Sequence, residues 1–103
     1  MDQLDQFLKR CADALHETAR QSTIQRRNAK GREADARVKI AEIEDRILFH
    51  FPPTKRASRP DLNDEQFKQL RIAEARHRVQ LLLTVVSMAG VGNDELPESP
   101  LNF

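Results

Sequence analysis

Three observations predict an all-α fold for this 103-residue chain. Its commonest residues are good helix formers. It has only three glycines, two of them in the last fourteen residues, so long stretches carry no helix breaker. Its apolar residues recur at helical rather than alternating spacing, with no β-branched run bounded by turn signals. The expected architecture is a three-helix chain with a long C-terminal helix, forming an intertwined homodimeric helical bundle. Residues 1–92 are expected to form a single domain, with residues 93–103 as a flexible tail.

The first helix is expected over about 2–20. Leu4, Leu8, Cys11 and Leu15 fall on one face of a 3.6-residue period, and Phe7 widens it. Asp2 and Asp5 suit the positive end of the helix dipole. Residues 20–32 are almost wholly polar, and Asn28 and Gly31 are helix enders, so a connection belongs within 22–32.

The second helix is expected over about 33–50. Ala36, Ile40, Ile43 and Ile47 hold a seven-residue repeat, broadened by Val38, Ala41, Leu48 and Phe51. Pro52-Pro53 ends it, because proline has no N–H and clashes with the preceding turn. The loop that follows is basic and bounded by proline. Asn63, with Gln66 three residues on, has the pattern of a capping box.

The third helix is expected over about 64–88. It carries one stripe of Phe67, Leu70, His77, Leu81, Thr84 and Met88, and another of Ile72, Ala75, Val79, Leu82 and Val86. Beyond Val79 it is apolar nearly all round, and such a helix must be enclosed. Two short helices offer little cover, so self-association through Leu81, Leu82, Val85, Val86 and Met88 is expected, with a monomeric three-helix bundle as the alternative.

Composition narrows the function classes. The net charge of +1 conceals blocks of opposite sign. Residues 20–32 carry +5 with no acid, residues 51–60 carry +3, and residues 79–103 carry −3. The most apolar stretch, Val79 to Val91, has 13 residues interrupted by Gln80, Thr84 and Ser87, short of the ~20 a membrane span needs. The acidic, amphipathic N-terminus is unlike a signal peptide, and the single cysteine fits a reducing compartment. A cytoplasmic location follows as the expectation.

Chemistry finds no foothold. Cys11, His16, His50 and His77 contain no pair at the i, i+3 or i, i+4 spacing that zinc on a helix requires. Cys11 lies in an apolar stripe, where a small core residue is expected, and the carboxylates of Glu42, Glu44 and Asp45 form a solvated face. There is no glycine-rich phosphate loop. The expectation is a non-enzymatic protein without cofactor or metal. Arg26, Arg27, Lys30 and Arg32, with Arg20 and a second cluster of Lys55, Arg56 and Arg59, are candidate phosphate contacts for a nucleic-acid-associated accessory protein. Against that, the flanking helices are acidic and the sequence pI of about 8.0 is low for a dedicated nucleic-acid binder.

Over residues 38–92 the chain resembles a known family. A helix ends in Ile47-Leu48-Phe49-His50-Phe51-Pro52, a polar loop follows, and a long helix closes with Leu82-Leu83-Thr84-Val85-Val86-Ser87-Met88-Ala89-Gly90. This resembles the small helical quorum-sensing anti-activators of the TraM and QslA type. The basic 20–32 segment and the acidic tail depart from TraM. The resemblance implies a dimer held by the long helix and a LuxR-type transcription factor as partner, blocked in its dimerisation or DNA binding. The apolar surface expected to meet that partner is Leu4, Phe7, Leu8, Cys11 and Leu15 with Phe49 and Phe51.

Overall fold

The computed structural model describes residues 2–24 and 29–90; within its helices the side chains of residues 19, 22–24, 29, 30, 32 and 33 are not described. Three α-helices appear in order, α1 (Gln3–Ile24), α2 (Ala29–His50) and α3 (Asp64–Ala89), with a 3-10 turn at Arg56–Ser58 between the last two. No strand occurs among the described residues, so the chain is all-α. The first two helices reach further toward each other than their apolar patterns suggest. Polar residues there are compatible with helix, and Gly31, read as a helix ender, lies inside α2; residues 25–28, Asn28 among them, lie outside the described residues.

The starts of α1 and α3 have local causes. Asp2 caps α1, its carboxylate oxygen accepting the Asp5 backbone N–H at 2.7 Å. Asn63 caps α3 with a full capping box: its side chain accepts the Gln66 N–H at 2.8 Å, and the Gln66 side chain accepts the Asn63 N–H at 3.0 Å. At the other end of α3, Gly90 adopts φ 69° and donates its N–H to the Ser87 carbonyl. His16 on α1 adds a second stop, its Nδ1–H donating to the Ala89 carbonyl at 2.9 Å. That bond satisfies an end-of-helix acceptor and ties the C-terminus of α3 to α1.

The helix α1 packs on both other helices, which touch each other less. Its buried stripe of Phe7, Leu8, Cys11, Ala12 and Leu15 joins Ile40, Ile43 and Ile47 of α2 and Leu81, Leu82, Val85 and Ala89 of α3 in one core cluster. The expected stripe of α2 is therefore the buried one, with Ala36, Ile40, Ile43 and Ile47 all enclosed, whereas Val38, Ala41 and Leu48 face outward.

The face of α3 differs from expectation. Its buried residues are Phe67, Ala75, Arg78, Leu81, Leu82, Val85 and Ala89, a single stripe that cuts across the two read from sequence. Thr84 and Met88 point outward. The contrast along this end of the helix is weak, since Leu83 and Met88 share the outward side with the polar Gln80, Thr84 and Ser87, and the packing partners choose the buried face. Leu81, Leu82 and Val85, expected at a dimer interface, lie inside the chain's own core, Val85 with no exposed surface at all. Helices α1 and α2, at 22 residues each, are long enough to cover them. Of the five interface candidates, Val86 is half-buried and Met88 exposed.

Ile43 and Ile47 have no exposed surface, so Ile43→Ala and Ile47→Ala should each lose about 2–5 kcal/mol of unfolding free energy. Val38→Ala on the outer face should lose under about 0.5 kcal/mol. Asn63→Ala should cost about 1 kcal/mol through the lost cap. Urea titrations monitored by helical circular dichroism give all four values.

Candidate interaction site at the aromatic end of the bundle

Aromatic rings gather where the N-terminal turns of α1 meet the C-terminal end of α2. Phe49 lies 5.3 Å from His50, His50 4.7 Å from Phe7, Phe7 6.0 Å from Phe51, and Phe51 5.6 Å from His77, all between ring centroids. The contacts are tilted or edge-on, the geometry that the ring quadrupoles favour. The chain of rings grades from solvent to interior and back. Phe49 is 81% exposed, Phe7 is buried, Phe51 is half-buried, and the two histidines are exposed. Next to it lies a half-open groove of about 490 Å³ lined by Gln3, Leu4, Gln6, Phe7, Arg10, His50 and Phe51.

The backbone at this end is held by α3. After Phe51 the chain runs through Pro52-Pro53, so the terminal carbonyls of α2 lack helical donors. Arg78 lies on the buried face of α3 and directs Nη1 at the Phe51 carbonyl, 3.5 Å away. One turn earlier, Glu74 accepts both the backbone N–H and the hydroxyl of Thr54, at 3.2 and 3.0 Å. A cation thus faces the negative end of α2 while a carboxylate holds the loop beyond it. Arg78 was missed by the sequence reading because a charge seemed to exclude it from an apolar stripe. Its aliphatic stem packs there and its head finds a carbonyl.

The expected partner-binding residues divide into two groups. Leu8, Cys11 and Leu15 are buried in the core and offer nothing to a partner, because α1 packs on its own chain. Leu4 and Phe49 are exposed, and the rings of Phe7 and Phe51 bound the groove and connect to Phe49 through His50. His50 and Arg10 belong to the site and were not among the expected partner-binding residues, though the position of His50 between two phenylalanines at a helix end was a usable signal.

The basic clusters are largely occupied where they are described. Arg20 turns back on Glu17 in a bidentate pair, 2.6–3.1 Å, which holds the Glu17 carboxyl below its ordinary range. Arg59 pairs with Asp61, and Asp61 is lowered in turn. Arg56 donates to the carbonyls of Arg59 and Leu62, reaches Asp64, and lies 4.9 Å above the Phe67 ring. These side chains organise the 55–64 loop. Arg26 and Arg27 lie outside the described residues, as do the side chains of Lys30 and Arg32. Among the described residues no group of three or more His, Cys, Asp or Glu could hold a metal, and no helix is long and apolar enough to cross a membrane.

Cys11 is a core thiol. Burial pushes it up from its ordinary value, against the pull of the nearby positive charges of Arg46 and Arg10. The native state therefore favours the protonated thiol. Its contribution to stability is complete below the ordinary thiol range of about 8.5 and is lost as pH rises toward the raised native value, since the unfolded chain ionises first. Unfolding midpoints measured across that range should fall with pH, and Cys11→Ala should remove that part of the fall. Alkylation of the wild-type thiol should be slow until the chain is unfolded. No protein-family model, curated protein or solved structure matches this chain, so its function has to be read from its own surfaces.

Proposed function

We propose that this chain is a non-enzymatic regulator that works by binding another protein, and that its target is a transcriptional activator of the LuxR type, held off its dimerisation or DNA-binding surface. The observation that carries the reading is Phe49, a large aromatic side chain 81% exposed on the last turn of a helix. Leu48, 37% exposed, and Val38, 60% exposed, accompany it on the outer side of α2. Monomeric surfaces expose single apolar residues freely, but a ring projecting beside a groove of mixed polarity has the anatomy of an interface anchor.

Rigidity supports the same reading. The Phe49 ring rests edge-on against His50, and the backbone just beyond it is held by Arg78 and Glu74. A pre-positioned aromatic loses little conformational entropy on binding, so more of its burial appears as affinity. The resemblance of α2 and α3 to the quorum-sensing anti-activators supplies the class of target.

The test is capture of a LuxR-type activator from host lysate by the tagged full chain, with and without nuclease, followed by titration of the purified pair. The complex should resist nuclease. Phe49→Ala should weaken it by at least about tenfold, the loss of ~1.4 kcal/mol or more expected of an anchor residue, while the circular dichroism spectrum stays unchanged. Capture abolished by nuclease, or affinity unchanged by Phe49→Ala, would overturn this reading.

A further inference from the structure

The groove at the aromatic end carries charge of one sign. Its seven lining residues include Arg10 and His50 and no acid. Arg10 enters no ion pair or hydrogen bond among the described residues. Arg46 stands one turn before His50 on α2, and both Arg10 and Arg46 are close enough to pull on the Cys11 thiol. Two guanidinium groups therefore approach the same seam, one from each helix. The acids that might answer them are taken: Asp13 meets Lys9 at 3.4 Å, and Glu42 meets Lys39 at 2.8 Å. On α3, Glu74 holds Thr54 and Arg78 faces the Phe51 carbonyl, so neither neutralises the groove. His50 makes ring contacts and no hydrogen bond among the described residues, so it can donate from the ring in either protonation state. The rest of the wall is apolar, from Leu4, Phe7 and Phe51.

We infer that this groove selects an acidic–aliphatic segment of a partner protein, seating an Asp or Glu carboxylate among Arg10, Arg46 and His50 and a neighbouring aliphatic side chain against Leu4, Phe7 and Phe51. The inference rests on the reading of this end as a protein-binding site and names what that site recognises. Charge complementarity selects the occupant. A guanidinium presents paired N–H donors that match a carboxylate, and hydrogen bonds between ionised partners are the strong ones. A basic segment would bring like charge to Arg10, and a neutral one would cover Arg10 without a partner for it. The volume of about 490 Å³ lies in the range of clefts that hold small ligands, about 300–1,000 Å³, so a short stretch of chain fits. Nucleic acid suits the groove less well. Its bases need an open ring face for stacking, whereas Phe7 is buried and Phe51 half-buried. A run of phosphates would also meet Asp2 and Asp5, both exposed at the start of α1. A single carboxylate lodged further along the helix avoids them.

Selection from a random-peptide display library on the immobilised full chain tests this. Peptides enriched on the wild type should carry Asp or Glu beside Leu, Ile or Val. Arg10→Glu should reverse the preference to Lys or Arg and weaken the wild-type winners at least about tenfold, with an unchanged helical spectrum, since Arg10 is exposed. Basic or uncharged winners, no enrichment at all, an acidic preference that survives Arg10→Glu, or displacement of the winners by a single-stranded DNA oligonucleotide would each overturn the inference. The library contains no LuxR-type activator, so an acidic–aliphatic consensus stands even where no activator is captured. An activator captured by the wild type and held equally well by Arg10→Glu would remove this inference and leave the proposed function in place.

Discussion

The burial of one stripe of α1 between the two other helices is the constraint on which the rest of the structure depends. Phe7, Leu8, Cys11, Ala12 and Leu15 supply the central strip of the core, and Ile43, Ile47, Leu82 and Val85 close over it from both sides. Helices α2 and α3 touch each other less than either touches α1. Without α1, the apolar stripes of both would face water, and the transfer free energy of each large side chain, roughly 1.5–3 kcal/mol, would be forfeited. The polar ties are subordinate to this seam. The bond from His16 to the Ala89 carbonyl finishes an edge that apolar packing has already brought together.

That packing also decides which surfaces remain available. Once Leu82 and Val85 turn toward α1, Leu83, Thr84 and Ser87 must turn away, because neighbours on a helix differ by about 100°. Once Ile43 and Ile47 turn inward, Phe49 is carried outward by the same geometry. The two apolar surfaces left exposed are therefore consequences of the core rather than separate features. They also differ in kind. The aromatic end is irregular, mixed in polarity and bounded by Arg10 and two histidines, which suits an unlike partner. The α3 face is regular and neutral.

Surface charge plays a local part. Lys9 with Asp13, Arg20 with Glu17 and Lys39 with Glu42 are exposed pairs within single helices, each adding little to stability. Arg56 and Arg59 serve the loop between α2 and α3, where they satisfy carbonyls and meet Asp64 and Asp61. Arg78 is the exception, a cation drawn into the core face because a helix end there needed a donor.

Much of this was legible in the residues themselves. The all-α class, the Asn63–Gln66 capping box, the stop at Pro52-Pro53 and the inward stripes of α1 and α2 follow from local rules, because spacing, capping and proline act within a few residues of chain. The facing of α3 was not legible. The run Val79 to Met88 carries only weak contrast, with Gln80, Thr84 and Ser87 on one side and large apolar residues on that side too, so contact with α1 and α2 determined that Leu82 and Val85 go in and Leu83 and Met88 stay out. Nor could the sequence show that Leu8, Cys11 and Leu15 would be used within the chain, since an amphipathic stripe is equally suited to its own bundle or another's. It could not show that Arg78 would be buried, since that depends on where the Phe51 carbonyl lies after the chain has folded. Sequence by itself determined which segments are helical and where they stop; tertiary structure decided which faces are hidden, because burial is a property of what lies opposite.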